Sequence, residues 1–153
     1  MILIQKLAKR GWLIAGGVAI VAVFWWGTSQ PEVAEAEIVS RSGLHWHPEL
    51  AIYIQGKQQD ISGGIGLGIL HDPVHTHDAG GVIHLEMLGL VRHRDIRLGQ
   101  FFKVWEKTFN REQIFEYRNG EGGTVKMFVN GAPSNEFENY IMRDKDRIEI
   151  RYE

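Results

Sequence analysis

The hydrophobic and polar positions along the chain predict one long apolar helix near the start, then short strands and one amphipathic helix. Residues 11–27 contain no charged side chain. Residues 50–55 and 124–129 are rich in β-branched and aromatic residues, and residues 146–152 alternate apolar with polar positions, so each segment predicts a β-strand. Gly56-Lys57 should turn the first of these strands into a hairpin with a short return strand that ends near residue 61.

An amphipathic helix is predicted between these groups of strands, over residues 98–109. Lys103 and Lys107 fall on its polar side. An aromatic face of this kind usually packs against a sheet as core. The apolar residues that share the face at helical spacing are Leu98, Phe101, Phe102, Trp105 and Phe109.

The order of these elements resembles the β-grasp fold: a hairpin, a helix, a strand, a short irregular stretch and a last strand. Segments 128–131 and 140–150 are similar to the end of ubiquitin-like and sulfur-carrier domains. The resemblance covers the C-terminal half of the chain and implies an α+β fold class. The sequence has no terminal Gly-Gly, so the carrier chemistry of those families is not expected, and the fold alone does not give a function.

The apolar run over residues 11–27 predicts a transmembrane helix. At about 1.5 Å per residue it would span roughly 25 Å, close to the hydrocarbon thickness of a bilayer. Tryptophans lie at both of its ends, and the basic residues Lys6, Lys9 and Arg10 precede it, which places the N-terminus in the cytoplasm. We therefore expect a single-pass anchor over residues 1–27, a linker without a strand over residues 28–41 and an extracytoplasmic domain over residues 42–153.

A cleavable signal peptide is the alternative for the same segment. Ala34-Glu35-Ala36 has the small-x-small form of a cleavage site, and cleavage there would release a secreted domain. The site lies well beyond the apolar run, and the bulky pair Trp25-Trp26 favours a retained anchor. In both cases the domain is outside the cytoplasm.

Charge and cysteine content exclude two classes of function. Three of the 17 basic residues and none of the 19 acidic residues lie before residue 28, so the remainder of the chain carries a net charge of −5. An acidic domain of this kind is not expected to bind nucleic acid. The chain contains no cysteine, which removes thiolate chemistry.

Three of the seven histidines fall in one short segment that predicts a β-hairpin. Residues two apart in a strand share a face, so His75 and His77 should be neighbours. If residues 78–81 form a four-residue turn, His77 pairs with Val82 and His75 lies opposite His84. Their Cβ atoms would then be roughly 5 Å apart, a separation that lets both imidazoles bind one metal ion.

Other polar residues extend this predicted site. Glu86 shares a strand face with His84, and a second His-x-His sequence begins at His45 on the next candidate strand. His71 and His93 are expected at the surface or as supporting groups. Asp72 and Asp78 are candidates to orient the imidazoles by accepting their second N–H. The predicted metal ligands are His45, His47, His75, His77, His84 and Glu86.

The ligand types indicate which metal should bind. Imidazole and carboxylate without thiolate suit Zn(II) or Cu(II), whereas Cu(I) prefers sulfur and calcium and magnesium prefer oxygen. Four histidines would close the site for binding or structure. Three histidines and a water would form an open site of the catalytic type, with Glu86 as its general base.

The sequence therefore predicts a membrane-anchored extracytoplasmic protein that binds Zn(II) or Cu(II) through a histidine cluster on a hairpin inserted in a β-grasp-like domain. The first alternative is a metal-dependent enzyme. Cupin enzymes also use His-x-His on a strand, but their acid follows the second histidine much more closely than Glu86 follows His77. The second alternative is a β-grasp interaction module that binds a protein of the cell envelope.

Overall fold

The computed structural model describes residues 34–120 and 122–153, and these form a mixed α+β structure in which short strands predominate. The predicted anchor over residues 11–27 lies outside the described residues, as does the first part of the predicted linker, residues 28–33. Within the described part of the chain, no helix is both long and apolar enough to cross a membrane.

The described residues contain an α-helix, three 3-10 turns and thirteen strands. The helix is α1 (Leu98–Val104), and the 3-10 turns cover Glu35–Glu37, His93–Ile96 and Phe137–Asn139. The strands are β1 (Ile38–Ser40), β2 (Leu44–Trp46), β3 (Glu49–Ile54), β4 (Lys57–Gln59), β5 (Val74–His75), β6 (His84–Met87), β7 (Val91–Arg92), β8 (Phe109–Asn110), β9 (Gln113–Ile114), β10 (Tyr117–Arg118), β11 (Val125–Val129), β12 (Ala132–Ser134) and β13 (Arg147–Tyr152).

The main sheet has five strands in the order β12-β11-β13-β3-β4. Its central strand, β13, runs parallel to its neighbour β3, and each end of the sheet is a hairpin. The turn between β3 and β4 uses Gln55 and Gly56, both at positive φ, so it begins one residue before the predicted turn. The strands predicted over residues 50–55, 124–129 and 146–152 are confirmed to within a residue.

The core lies on one face of this sheet. In both β3 and β13 every second residue is buried, as the two-residue period of a strand requires. Ile52 and Ile150 are fully buried at the centre, and Phe101 and Phe102 of α1 belong to the same buried cluster. The prediction that the aromatic helix face is core is therefore confirmed.

The helix is shorter than the predicted span of residues 98–109. It ends at Val104, and Trp105 closes it by donating its backbone N–H to the carbonyl of Phe101. Glu106 then adopts a positive φ of 57°, which a helix cannot accommodate. Phe109 reaches the core from strand β8 of a small β10-β9-β8 sheet. Buried residues therefore continue at helical spacing beyond the end of the helix.

A short strand lies inside the stretch that was predicted as a linker without strands. Strand β1 pairs with β7, with Ile38 opposite Arg92. Three residues are too few to show the alternating pattern of a strand. The partner strand lies far along the chain, so no hairpin signal indicates the pairing either. The described domain therefore includes residues before position 42.

Candidate metal centre

A three-stranded sheet, in the order β2-β6-β5, carries His45, His75 and His84, and His47 and His77 follow the ends of β2 and β5. His75 lies opposite His84, as the register argument predicted, and His45 lies opposite Glu86. The alternate residue Leu85 is fully buried in the core. The sheet therefore has one apolar face against the core and one face that carries imidazoles.

The first group of potential ligands contains His75, His77, His84 and Glu86. Each residue offers one ligand atom, and these atoms all lie within 4.8 Å of one another. The Nε2 atoms of His75 and His77 are 3.2 Å apart. Two ligands of one tetrahedral zinc ion, each bound at about 2.0–2.1 Å, are about 3.3 Å apart. This pair is therefore spaced for a shared metal ion.

His75 is held in place by burial and by a hydrogen bond to the main chain. It is only 2% exposed, and its Nδ1 donates a hydrogen bond of 2.8 Å to the main-chain carbonyl of Asp72. The Asp72 residue thus orients this imidazole, as predicted, but through its backbone rather than its carboxylate. Among the described residues, no hydrogen bond joins Asp78 to an imidazole. His75 is left with Nε2 directed toward the other histidines.

The second group contains His45, His47 and His84, whose ligand atoms again lie within 4.8 Å of one another. The ring centroids of His45 and His47 are 4.6 Å apart, and those of His47 and His84 are 4.8 Å apart. His45 also meets the first group, because its Nε2 is 3.1 Å from Oε1 of Glu86. Five imidazoles and one carboxylate are therefore brought together in one cluster.

Asp144 is a neighbour of this site that the sequence interpretation missed. Its Oδ1 accepts the backbone N–H of His47 at 2.9 Å and lies 3.9 Å from Nδ1 of the same ring. The two residues are 97 positions apart, so no local pattern indicates the contact. Asp144 therefore fixes the backbone of His47 and adds negative charge beside it.

The loop that carries Asp144 is anchored by Asp146, which is almost completely buried. The Asp146 carboxylate accepts hydrogen bonds from the Tyr140 hydroxyl at 2.6 Å, the Asn130 side chain at 2.9 Å and the Arg143 backbone N–H at 2.8 Å. Burial and the bond to this carboxylate raise the pKa of Tyr140, so its hydroxyl remains a donor. The approach of Asp144 to His47 therefore depends on a rigid loop.

His84 lies at the centre of the cluster. Its ring stacks on His75 with centroids 5.5 Å apart and meets His77 edge-on at 4.4 Å. Burial lowers the pKa of His84, and the positive charges that His77, His47 and His75 can carry lower it further, against an opposing effect of Glu86. The ring therefore favours its neutral form, which is the form that binds metals.

The predicted turn between the two histidine strands is wrong in detail. Strand β5 ends at His75, and Val82 forms a bridge with Glu49 instead of pairing with His77. The carbonyl of Gly81 accepts the backbone N–H of Leu50, and a Cβ at Gly81 would lie 2.1 Å from the carbonyl oxygen of Leu50. In this segment, contact with β3 therefore replaces the pairing of a simple hairpin.

The two isolated histidines lie outside both groups. His71 is exposed, with its ring centroid 6.4 Å from that of His75. His93 is exposed on the 3-10 turn that precedes α1. Neither contributes to a potential ligand set among the described residues.

Comparisons with known proteins give no relative: no protein-family model, no curated protein and no solved structure matches the chain.

Proposed function

We propose that this protein binds a transition-metal ion, Zn(II) or Cu(II), in the histidine cluster. One observation supports the proposal above all others: four imidazoles from separate segments converge around that of His84, in groups whose ligand atoms are within 4.8 Å of one another. Neighbouring imidazoles repel one another when they are protonated. Coordination by their neutral nitrogens offsets that cost.

The ligand types favour these two ions. Imidazole is the donor in both groups, Glu86 adds a carboxylate, and neither group contains a sulfur ligand. Such a set suits Zn(II) or Cu(II), and the geometry of the site rather than raw affinity would select between them.

The same proposal places the site in a β-grasp domain with an inserted histidine sheet. The order of the main sheet supports this assignment. Its last strand, β13, lies parallel to β3 of the first hairpin, and β11 and β12 of the second hairpin lie on the other side of β13. The histidine strands β5 and β6 fall between β4 and α1, where the insertion was expected.

We further propose that the domain is held at the outer face of a cell membrane by residues 1–27. The charge-free run, the tryptophans at its ends and the preceding basic residues support this topology. A metal-binding domain outside the cytoplasm can take up its ion from the surrounding medium or from an envelope protein.

Metal analysis of the full-length protein, purified in detergent, tests the proposal. The protein is stripped with a chelator, dialysed against Zn(II) or Cu(II), and the ions bound per chain are measured. We expect stoichiometric binding that weakens by well over tenfold in the double variant His75→Ala/His84→Ala, since each change removes a ligand. His93→Ala is the matched control and should bind as the unchanged protein does.

Each other outcome would contradict the proposal. Absence of bound metal in the unchanged protein would favour the interaction module. Equal affinity in the double variant would show that the metal binds elsewhere.

A metal-dependent enzyme is a second candidate, favoured by the exposure of Glu86. Its side chain is 43% exposed and its Oε1 lies 3.7 Å from Nδ1 of His84, so a carboxylate stands at the open side of the imidazoles. Such a group is placed to take a proton from a metal-bound water. Hydrolytic or oxidative turnover by the metal-loaded protein that Glu86→Gln abolishes, with metal content unchanged, would establish this activity.

A further inference from the structure

His84 is a member of both ligand groups, and it is the residue that they share. One group adds His75 and His77 to it, and the other adds His45 and His47. The ring of His84 lies 4.4 Å from that of His77 and 4.8 Å from that of His47, centroid to centroid. The cluster therefore consists of two histidine pairs on either side of one central imidazole.

A single ion would leave one of these pairs unused. Zinc and copper bind imidazole nitrogens at about 2.0–2.1 Å, so the ligands of one ion are about 3.3 Å apart. Within each group the ligand atoms are close enough to approach this spacing, whereas the five imidazoles do not form one common group. The geometry thus provides two positions for an ion.

The second nitrogen of His84 gives an independent indication. A histidine that binds metal through one nitrogen normally donates its other N–H to an oxygen. His75 does so, with Nδ1 bonded to the carbonyl of Asp72 at 2.8 Å. Nδ1 of His84 is buried and makes no hydrogen bond within the described residues. A buried polar atom without a partner is costly, and a metal ion would satisfy it.

We propose that the cluster binds two metal ions and that His84 bridges them, with one ring nitrogen on each ion. The inner ion is held by His75 and His77, and the outer ion by His45 and His47. Coordination through both nitrogens requires loss of the remaining ring N–H proton, which passes to solvent when the second ion binds. This inference rests on the proposed metal-binding function.

Negative charge on both sides reduces the repulsion between two dications. Oε1 of Glu86 is 3.1 Å from Nε2 of His45 and 3.7 Å from Nδ1 of His84, so this carboxylate lies where the two groups meet. Asp144 lies beside His47 at the outer position. The bridging imidazolate itself adds a further negative charge between the ions.

Stoichiometry and single variants test this inference on the full-length protein in detergent. Equilibrium dialysis against Cu(II) or Zn(II) should give two ions per chain. His77→Ala and His45→Ala, which both change exposed side chains, should each lose one ion and keep the other. His84→Ala should weaken both ions by well over tenfold, while His93→Ala should keep two.

Circular dichroism and thermal unfolding of each metal-free variant establish that a lost ion is not a lost fold. One ion per chain in the unchanged protein, weakened alike by His77→Ala and His45→Ala, would overturn the two-ion inference and leave the proposed metal-binding function intact. Absence of any bound ion would overturn the proposed function itself.

Electron paramagnetic resonance of the copper-loaded protein tests the bridge. Two Cu(II) ions joined by one imidazolate couple magnetically, so the integrated signal at low temperature should fall well below the copper content. His77→Ala, with one copper left, should recover the full signal for that ion. A full signal from two coppers in the unchanged protein would show two separate sites and refute the bridging role of His84.

Discussion

At the scale of single residues, the histidines of the cluster differ in the contacts that hold them in place. His75 is buried and fixed by a backbone carbonyl, His47 is fixed through its own backbone by Asp144, and His77 is exposed. A fixed imidazole loses less conformational freedom on binding a metal, which strengthens binding. His75 should therefore contribute more to affinity than His77.

The lowered pKa of His84 makes the stability of the metal-free protein depend on pH. In the unfolded chain this histidine titrates near pH 6.5, whereas in the folded protein burial and the charges of His77, His47 and His75 lower its pKa despite Glu86. Below about pH 6.5 the unfolded state binds a proton that the folded state does not, so stability is greatest above that pH and falls as the pH decreases. Urea unfolding between pH 8 and pH 5, with chelator present, measures this dependence.

His84→Gln should reduce that pH dependence, and His93→Ala should leave it unchanged. A stability that rises on acidification across this range would contradict the lowered pKa.

The carboxylate of Asp146 provides a second test at this scale. Tyr140→Phe removes one donor from a buried carboxylate and should cost about 1–3 kcal/mol of unfolding free energy. Tyr53→Phe is the matched control, because the Tyr53 hydroxyl makes no hydrogen bond within the described residues. Denaturant unfolding of both variants gives the comparison, and equal stabilities would show that the hydroxyl does not support the loop.

At the scale of secondary-structure elements, the boundaries follow contacts that lie far apart in the sequence. Periodicity predicted β3, β11 and β13 well, because half-buried strands carry their own alternating pattern. It extended α1 too far, because buried aromatic residues continue at helical spacing after the chain has left the helix. Element type and the bounds of these strands could therefore be predicted, whereas the end of the helix could not.

The candidate site shows the same division. The pairing of His75 with His84 follows from alternation and could be predicted. The contact of Asp144 with His47 and the loop at Gly81 depend on the packing of β3 and the loop before β13, which no short pattern encodes. The three small strands β8 to β10 were also missed, because each has only two residues.

The helix face offers a test of core packing. Phe101 is fully buried and packs against the rings of Phe102 and Trp105, so Phe101→Ala should open a cavity that costs about 3–5 kcal/mol. Trp105→Ala should cost less than Phe101→Ala, because Trp105 is only partly buried at the end of the helix. Thermal or urea unfolding measures both changes.

Lys103→Ala, on the exposed side of the same helix, is the control and should be nearly silent. A loss below about 1 kcal/mol for Phe101→Ala would mean that this face does not support the core.

At the scale of the whole molecule, the proposed anchor would make the outside of the cell the source of the proposed metal ion. Protease added to intact cells should digest the domain over residues 42–153 and spare the segment that precedes it, because in the proposed topology the basic flank keeps the N-terminus inside. Immunoblotting with tags at each terminus reports the result. A C-terminal tag that stays protected until the cells are lysed would show the opposite topology.

The parallel pair at the centre of the main sheet determines when this domain can fold. Strand β3 pairs with β13, and Glu49 lies opposite Arg147. The ribosome therefore synthesises nearly the whole domain after β3 and before β13. A nascent chain that has not yet reached Tyr152 has no central strand to join its two hairpins. Contacts of such long sequence separation are slow to form. The domain should therefore stay unfolded and sensitive to proteases through most of its synthesis, and acquire its histidine surface only after the last strand is released.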